Sequence, residues 1–382
     1  MKDVVIVGAA LAGVTAAGTL RAEGYDGSIT VVGDEGVGAY ARPPLSKGVL
    51  AGRDAPESVV LPALPEDVSV RHGVRAVGLD ARARRVLLDD GGALRFDGLV
   101  IASGSRARRL ADDGRPGQHV LRTLHDCLTL RSSLAGRPTV LIAGAGFLGL
   151  EIAATCRELG LEVAVVDREP PLRRALGRTL GDFVADAARD NGVEVVVAHS
   201  DSELIVDDRV RGLRTAHGRE LRADVVITAI GDLPNVEWLD GSPLATRGPL
   251  RVDDRCRIDD AIVAAGDVCA VGGAARTPHW HSAIGQAQTA ARALLHGDAA
   301  APLPHVPYVW TEGHGLEVKL CGTLQPGVEP VVVEGSLEDR SALLQWLAPD
   351  GEPLAAASVN HRMPLARLRR MARPAPAASG PP

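Results

Sequence analysis

The chain has few cysteines: of 382 residues only Cys127, Cys156, Cys256, Cys269 and Cys321 carry a thiol, and no two stand in a CxxC spacing or a disulfide-like framework. The pattern leaves no CxxC redox motif and predicts reduced, partly buried, inert thiols. Charge of one sign is not concentrated either. Forty-two Lys+Arg against 48 Asp+Glu give a formal net charge of -6 in short blocks, so neither the balance nor any module points to nucleic acid. Lysine is almost absent beside abundant arginine, which reads as compositional bias. No apolar run reaches membrane-spanning length. The stretch from Val4 to Leu20 follows Lys2 and Asp3, is interrupted by glycines, and is shorter than the roughly 20 residues a spanning helix needs. It reads as strand plus helix, with no membrane or export signal, so a cytoplasmic protein is expected. His279, His281 and His314 lack metal-ligand spacing, and no metal is expected.

What is present is one design used twice. Val4-Val5-Ile6-Val7 runs into GAALAG, Gly8 to Gly13, and Val140-Leu141-Ile142-Ala143 runs into GAGFLG, Gly144 to Gly149, each followed by an alanine-rich helical stretch. A dinucleotide-binding turn needs a tight strand-to-helix elbow, a backbone that approaches pyrophosphate closely and a helix N-terminus to hold the phosphates. Glycine meets the first two needs because it has no Cβ. Helix is predicted over Val14 to Glu23 and Ile152 to Gly160. A second strand, Ile29 to Val32, ends at Gly33-Asp34-Glu35, and Val163 to Val166 delivers Asp167 to the equivalent place. Carboxylates there accept hydrogen bonds from ribose hydroxyls. Two elbows imply two nucleotides, and FAD at the first with a nicotinamide at the second is the economical assignment, since a nicotinamide is what reduces a flavin.

Further motifs are more specific: Tyr40-Ala41-Arg42-Pro43-Pro44-Leu45-Ser46-Lys47, Leu121-Arg122-Thr123-Leu124, Gly231-Asp232-Leu233-Pro234-Asn235, Ala264-Ala265-Gly266-Asp267-Val268 and Val306-Pro307-Tyr308-Val309-Trp310. With the elbows, the chain resembles the FAD-dependent NAD(P)H:ferredoxin reductases, of the putidaredoxin reductase, rubredoxin reductase and aromatic dioxygenase reductase component type, from Val4 to about Met371. The resemblance implies an α/β fold of two Rossmann-like nucleotide-binding domains, the NAD domain inserted in the FAD domain, plus a small C-terminal α/β domain. The expected boundaries are residues 1-106 and 236-300 for FAD, 107-235 for NAD(P)H and 301-372 for the C-terminal reductase domain. A linker runs from Ala299 to Pro307, and a Pro, Ala, Ser and Gly tail at 373-382 has no apolar period and is expected to be disordered.

The same resemblance assigns residues. Gly8, Ala10, Ala12, Gly13, Asp34, Glu35, Arg42, Pro43, Lys47, Val77, Arg122, Gly266, Asp267, Trp280 and Trp310 fall to FAD. Gly144, Gly146, Phe147, Leu148, Gly149, Glu151, Asp167, Arg168 and Gly231 fall to the nicotinamide. Lys47 is placed beside the flavin ring near N5, where a cation favours negative charge arriving with hydride, and Glu151 is its counter-charge; these two are the catalytic candidates. The alternative is a surface lysine and a helix-N-terminal glutamate. Asp267, read as a buried carboxylate, would take a ribityl hydroxyl and Arg122 the pyrophosphate side. Trp280 would open a helix aimed at the pyrimidine edge, and Trp310 would lie near the ring, the alternative for both being core filling. His279, His281 and His314 read as satisfied core or rim histidines.

Three departures stand out: Ala10 replaces the middle glycine of the first elbow, Pro278 stands where the family often has glutamate, and Thr311-Glu312-Gly313 follows Trp310 where Ser-Asp-Gln is usual. Asp167 favours NADH, although Arg168, Arg173 and Arg174 are close enough to leave NADPH open. The leading function is electron transfer from NADH through FAD to a 2Fe-2S ferredoxin that serves an oxygenase, by a monomer or homodimer. Two others remain: direct action on a small-molecule acceptor in a biosynthetic pathway, and redox sensing by a flavoprotein resembling apoptosis-inducing factor. Chemistry through sulfur is disfavoured because Tyr40 to Val49 holds no cysteine. The stretch His361 to Arg373 reads as an amphipathic helix whose basic face is solvated, or else guides an acidic ferredoxin.

Overall fold

A computed structural model of the chain describes residues 1-111, 116-304 and 307-372; the tail at 373-382 and part of the Ala299 to Pro307 linker lie outside the described residues. Two compact units form: Met1–Ala41 with Glu57–Arg106 and Asp232–Pro304, and Arg42–Pro56 with Ala107–Gly231 and His305–Pro382.

The first unit is built on a parallel sheet in the order Ile262–Ala264, Gly98–Ile101, Asp3–Val7, Ser28–Gly33, Val68–His72. Val4, Val5, Ile6, Leu99, Val100, Ile101, Val263 and Ala264 are all buried. Such unbroken apolar runs are what a parallel sheet covered on both faces requires. In chain order the strands read 3-2-1-4-5 from the Val68 edge, so the topological switch falls between Asp3–Val7 and Gly98–Ile101, where doubly wound sheets open a crevice at the carboxyl ends of their strands. Helices Leu11–Ala22 and Trp280–His296 pack together through alanines, including Ala16, Ala17, Ala287, Ala290 and Ala291. An antiparallel meander, Ala76–Asp80, Arg85–Leu88 and Ala93–Arg95, completes the unit.

The second unit repeats the plan. Its parallel sheet runs Val193–Val197, Val163–Asp167, Val140–Ala143, Val225–Thr228, Gln118–Val120, with the switch between Val140–Ala143 and Val225–Thr228. The Leu121 to Leu124 motif is a helix start: Thr123 accepts from the Asp126 N–H while Asp126 accepts from the Thr123 N–H, a reciprocal capping box that opens Leu124–Ser133. The C-terminal part is an antiparallel five-stranded sheet, Tyr308–Gly313, Leu316–Gly322, Pro353–Val359, Ser341–Leu347, Val331–Ser336. Its helix covers only Leu365–Met371, not His361 to Arg373. Pro364 occupies the N-cap and fixes the start; Leu368 is buried, whereas Arg367, Arg369 and Arg370 are exposed. Among the described residues no helix is long and apolar enough to cross a membrane.

Candidate active site

Both elbows fold to the same geometry. Gly8 (φ +118°) donates to Val32 O at 2.7 Å and Gly144 (φ +108°) to Val166 O at 2.8 Å. A Cβ on Gly8 would drive into the carbonyl of Ala102, and one on Gly144 into that of Ala229; a Cβ on Gly13 or Gly149 would strike the carbonyl of Gly8 or Gly144. These four glycines are therefore demanded by backbone packing. The helices begin at once, Leu11–Ala22 and Phe147–Glu158, three and five residues earlier than the predicted starts. Their N-caps, Ala10 and Gly146, supply no capping side chain, so the helix-terminal N–H groups are presented to an anion rather than closed off. Ala10 has φ -92° and ψ -167°, extended backbone that any residue adopts. At its counterpart Gly146 a Cβ would meet nothing within 4 Å. The alanine is thus free of strain, and its methyl matters only to what approaches the elbow. The cradle fits a pyrophosphate.

The carboxylates are not equivalent, contrary to the sequence reading. Strand register aligns Val32 with Val166, so Gly33 occupies the place of Asp167. Gly33 can carry no side chain because a Cβ would collide with Ala9. Asp34 and Glu35 fall one and two positions later, Asp34 exposed and Glu35 accepting from the Tyr40 hydroxyl at 2.5 Å. Asp167 turns into the elbow: Oδ2 accepts from the Ala145 N–H at 2.6 Å and Oδ1 from the Glu169 N–H at 3.3 Å. Arg168, Arg173 and Arg174 are each paired, with Asp201, Asp182 and Glu169. Gly231 is exposed with φ +98°.

In the first unit Asp267 stands beyond the carboxyl end of Ile262–Ala264, and the first elbow lies at the carboxyl end of Asp3–Val7 in the same parallel sheet. It is half-buried rather than buried, because only its flanks, Gly266 and Val268, are enclosed. Ser105 Oγ donates to its Oδ2 at 3.3 Å. Gly266 (φ +83°) brings this loop against Ala12, whose Cβ would lie 3.0 Å from an added Cβ. Two supports escaped sequence reading. Gln286, buried on Trp280–His296, accepts the Gly266 N–H at 2.8 Å. Arg276 forks onto Asp232 at 2.6 and 2.8 Å and donates to Asp267 O at 2.8 Å. Trp280 is the first residue of its helix with His279 as N-cap. Burial depresses the His279 pKa, opposed by Asp267 and Asp232. Val77 bulges from the Ala76–Asp80 strand and is 49% exposed.

Arg42, Pro43, Lys47, Arg122 and Trp310 belong to the second unit, where they converge with Glu151. Pro43 opens a 3-10 turn, Pro43–Ser46, that ends at Lys47. Lys47 Nζ lies 2.7 Å from Glu151 Oε2, the side chains being 18% and 11% exposed, and 5.0 Å from the centroid of the Trp310 ring. Glu151 also accepts from Ser46 Oγ at 2.6 Å and Thr311 Oγ1 at 2.9 Å. The surface-lysine alternative is set aside by this enclosure. A cation held by one carboxylate and faced by an indole ring is a fixed positive charge, poised to stabilise negative charge developing beside it. The Arg42 guanidinium donates to Arg122 O, bringing both arginines to the Thr123 cap.

His279 and His281 lie in the first unit and His314 in the second; among the described residues no group of His, Cys, Asp and Glu could hold a metal. All five cysteines are free and buried, and burial raises each thiol pKa, to about 11 for Cys127 and Cys321. None is a thiolate nucleophile at neutral pH.

Comparison with known proteins agrees with this geometry. Residues 2–292 match the family model described as pyridine nucleotide-disulphide oxidoreductase. The chain is 35% identical to rhodocoxin reductase of Rhodococcus erythropolis, over 88% of this chain and 81% of that one. It is 34% identical to the biphenyl dioxygenase system ferredoxin–NAD(+) reductase component of Paraburkholderia xenovorans, over 94% and 90%. Among solved structures, that of the covalent putidaredoxin reductase–putidaredoxin complex superposes with a TM-score of 0.84 at 29% identity, covering 94% of this chain and 90% of that one. A ferredoxin reductase from Rhodopseudomonas palustris superposes with a TM-score of 0.86 at 31% identity, covering 94% and 92%. With two matched elbows, an enclosed Lys47–Glu151 pair and relatives aligned over nearly their whole length, the chain belongs to the pyridine nucleotide-disulphide oxidoreductase family, and within it to the ferredoxin–NAD(+) reductases.

Proposed function

We propose that this protein passes electrons from NADH through FAD to a 2Fe-2S ferredoxin that serves an oxygenase, in the cytoplasm, as a monomer or homodimer. The observation that carries the reading is the Lys47–Glu151 pair, enclosed by Ser46, Thr311 and Trp310. FAD, when bound, supplies the chemistry that side chains lack, taking two electrons together and releasing them singly. The chain's own residues bind and polarise. Gly8, Ala10, Ala12 and Gly13 receive the FAD pyrophosphate at a helix N-terminus, with Asp34 or Glu35 on the ribose, Asp267 on the ribityl chain, and Arg42, Pro43, Val77, Arg122, Gly266, Trp280 and Trp310 completing the FAD set. Gly144, Gly146, Phe147, Leu148 and Gly149 do the same for the nicotinamide, with Gly231 and Arg168 at its rim. Asp167 selects NADH because a fixed carboxylate repels a 2′-phosphate, while the neighbouring Glu169 is paired with Arg174. Lys47, with Glu151 as its counter-charge, offers positive charge where hydride arrives. The proposed domains are 1-106 with 236-300 for FAD, 107-235 for NADH and 301-372 at the C-terminus.

The test is anaerobic addition of NADH to the FAD-loaded protein, following bleaching of the flavin and then its return on adding an oxidised 2Fe-2S ferredoxin. Fast bleaching and ferredoxin-dependent reoxidation support the proposal. Bleaching with no transfer to any ferredoxin offered would replace it with a small-molecule acceptor.

A further inference from the structure

His314 occupies a position poorly suited to it. The strands Tyr308–Gly313 and Leu316–Gly322 are joined by His314 and Gly315, whose φ values are +54° and +74°. Two successive positive φ angles are the signature of a tight hairpin turn that glycine and asparagine serve best, and a side chain with a Cβ costs roughly 1–2 kcal/mol there. The imidazole is nonetheless 7% exposed and fully engaged. Nε2 lies 3.1 Å from Leu150 O, and since a carbonyl only accepts, Nε2 carries the proton. Nδ1 is then the acceptor, taking an N–H of Asn191 at 3.0 Å. Leu150 immediately precedes Glu151. On the same hairpin Thr311 bonds Glu151 and Trp310 faces Lys47, and Gly313 lets the strand approach Ala154 so closely that an added Cβ would lie 3.1 Å from its methyl.

We propose that His314 is a positioning residue: its neutral imidazole ties the hairpin to the backbone of the helix carrying Glu151, and so holds Thr311 and Trp310 against the Lys47–Glu151 pair. The functional consequence rests on the reading of that pair as the charge that assists hydride arrival; the clamp itself does not.

The chain's only lysines are Lys2, Lys47 and Lys319, so a full-length protein labelled with [ε-13C]lysine gives three separable signals. The ammonium of Lys47 faces the Trp310 ring, which should displace its signal upfield, and Trp310→Leu identifies it. His314→Gly removes the imidazole while relieving the turn. The expected result in the ligand-free protein is loss of most of that displacement, with Lys2 and Lys319 unmoved, a smaller loss in Asn191→Ala, and partial rescue in His314→Gln, whose amide N–H can reach Leu150 O. An unmoved Lys47 signal in folded His314→Gly overturns the clamp. If that variant fails to fold, Asn191→Ala decides in the same way. Loss of the displacement with an unchanged rate of flavin reduction by NADH in the loaded enzyme upholds the clamp and removes the role proposed for the pair.

Discussion

Separating the structural from the functional role of Lys47 and Glu151 requires both single variants and the double. The pair spans 2.7 Å with both side chains mostly enclosed. Removing one partner of a fully buried pair costs about 3–5 kcal/mol, while exposed pairs are worth about 0–1. At 18% and 11% exposure, a loss of about 2–3 kcal/mol is expected for Lys47→Met or for Glu151→Gln. In Lys47→Met the abandoned carboxylate keeps the hydroxyls of Ser46 and Thr311; in Glu151→Gln the abandoned ammonium keeps Pro43 O at 3.3 Å and the indole face. In Lys47→Met/Glu151→Gln no uncompensated charge remains, and the glutamine oxygen still accepts a hydroxyl, so resistance to urea should return to within about 1 kcal/mol of the parent. The rate of flavin reduction by NADH should not return: Lys47→Met and the double variant both lack the cation, expected to cost about 100-fold, whereas Glu151→Gln keeps it on Pro43 O and the indole face. The assay pairs urea titration, followed by tryptophan fluorescence, with stopped-flow bleaching. If the double variant regains the rate along with the stability, Lys47 is structural and the reading fails.

Three other outcomes follow from the same contacts. Burial lowers the pKa values of His119, His279 and His314 below the usual 6.5. The unfolded chain then binds protons that the native state refuses, so stability should be complete above about pH 7 and fall as pH drops through 6.5, by up to about 1.4 kcal/mol per pH unit for each histidine; a flat profile between pH 7 and 5 would contradict their burial. Asp267→Ala should purify with little or no flavin, whereas the fold, held at this loop by Gln286 and Arg276, persists; full flavin occupancy would reject the assignment. Asp167→Asn keeps an acceptor for the Ala145 N–H and should cut the preference for NADH over NADPH by about tenfold or more, as a charge facing a 2′-phosphate implies. An unchanged ratio would move the selectivity to Glu169 and its arginine.

The parts of this fold that were legible in the sequence are those imposed by backbone packing. Gly8, Gly13, Gly144 and Gly149 stand where any Cβ would enter a carbonyl, and so the motif announces the turn. Side chains that act across long sequence distances left no such mark. Thr311 reaches Glu151 and Gln286 reaches Gly266, yet a hydroxyl or an amide on an ordinary strand or helix has no period to betray it. Strand ends were misjudged by the one residue that matters: Gly33, not an acid, is the counterpart of Asp167, because Ala9 fills the space its side chain would need. The helix expected over His361 to Arg373 was shortened by Pro364, a local signal that the amphipathic period obscured.

Ala10 offers the sharpest test of whether the first elbow is built for a pyrophosphate. The protein itself gains nothing from glycine at this position: φ is negative, the backbone is extended, and the equivalent Gly146 has open space where a Cβ would be. Ala10→Gly should therefore alter stability by only a few tenths of a kcal/mol to about 1 kcal/mol, the range for exchanging small residues at an N-cap. Its methyl, however, stands at the helix N-terminus, and if the elbow holds the FAD pyrophosphate as proposed, the same change should tighten FAD binding severalfold, measured by titrating the ligand-free protein and following quenching of flavin fluorescence. Gly13→Ala is the converse control. Its Cβ would enter the carbonyl of Gly8, so it should disrupt the elbow and the helix together, lowering stability and flavin affinity alike. Were Ala10→Gly to leave affinity unchanged while Gly13→Ala abolished it, the elbow would be a packing device whose glycines serve the fold, and the phosphates would be held elsewhere.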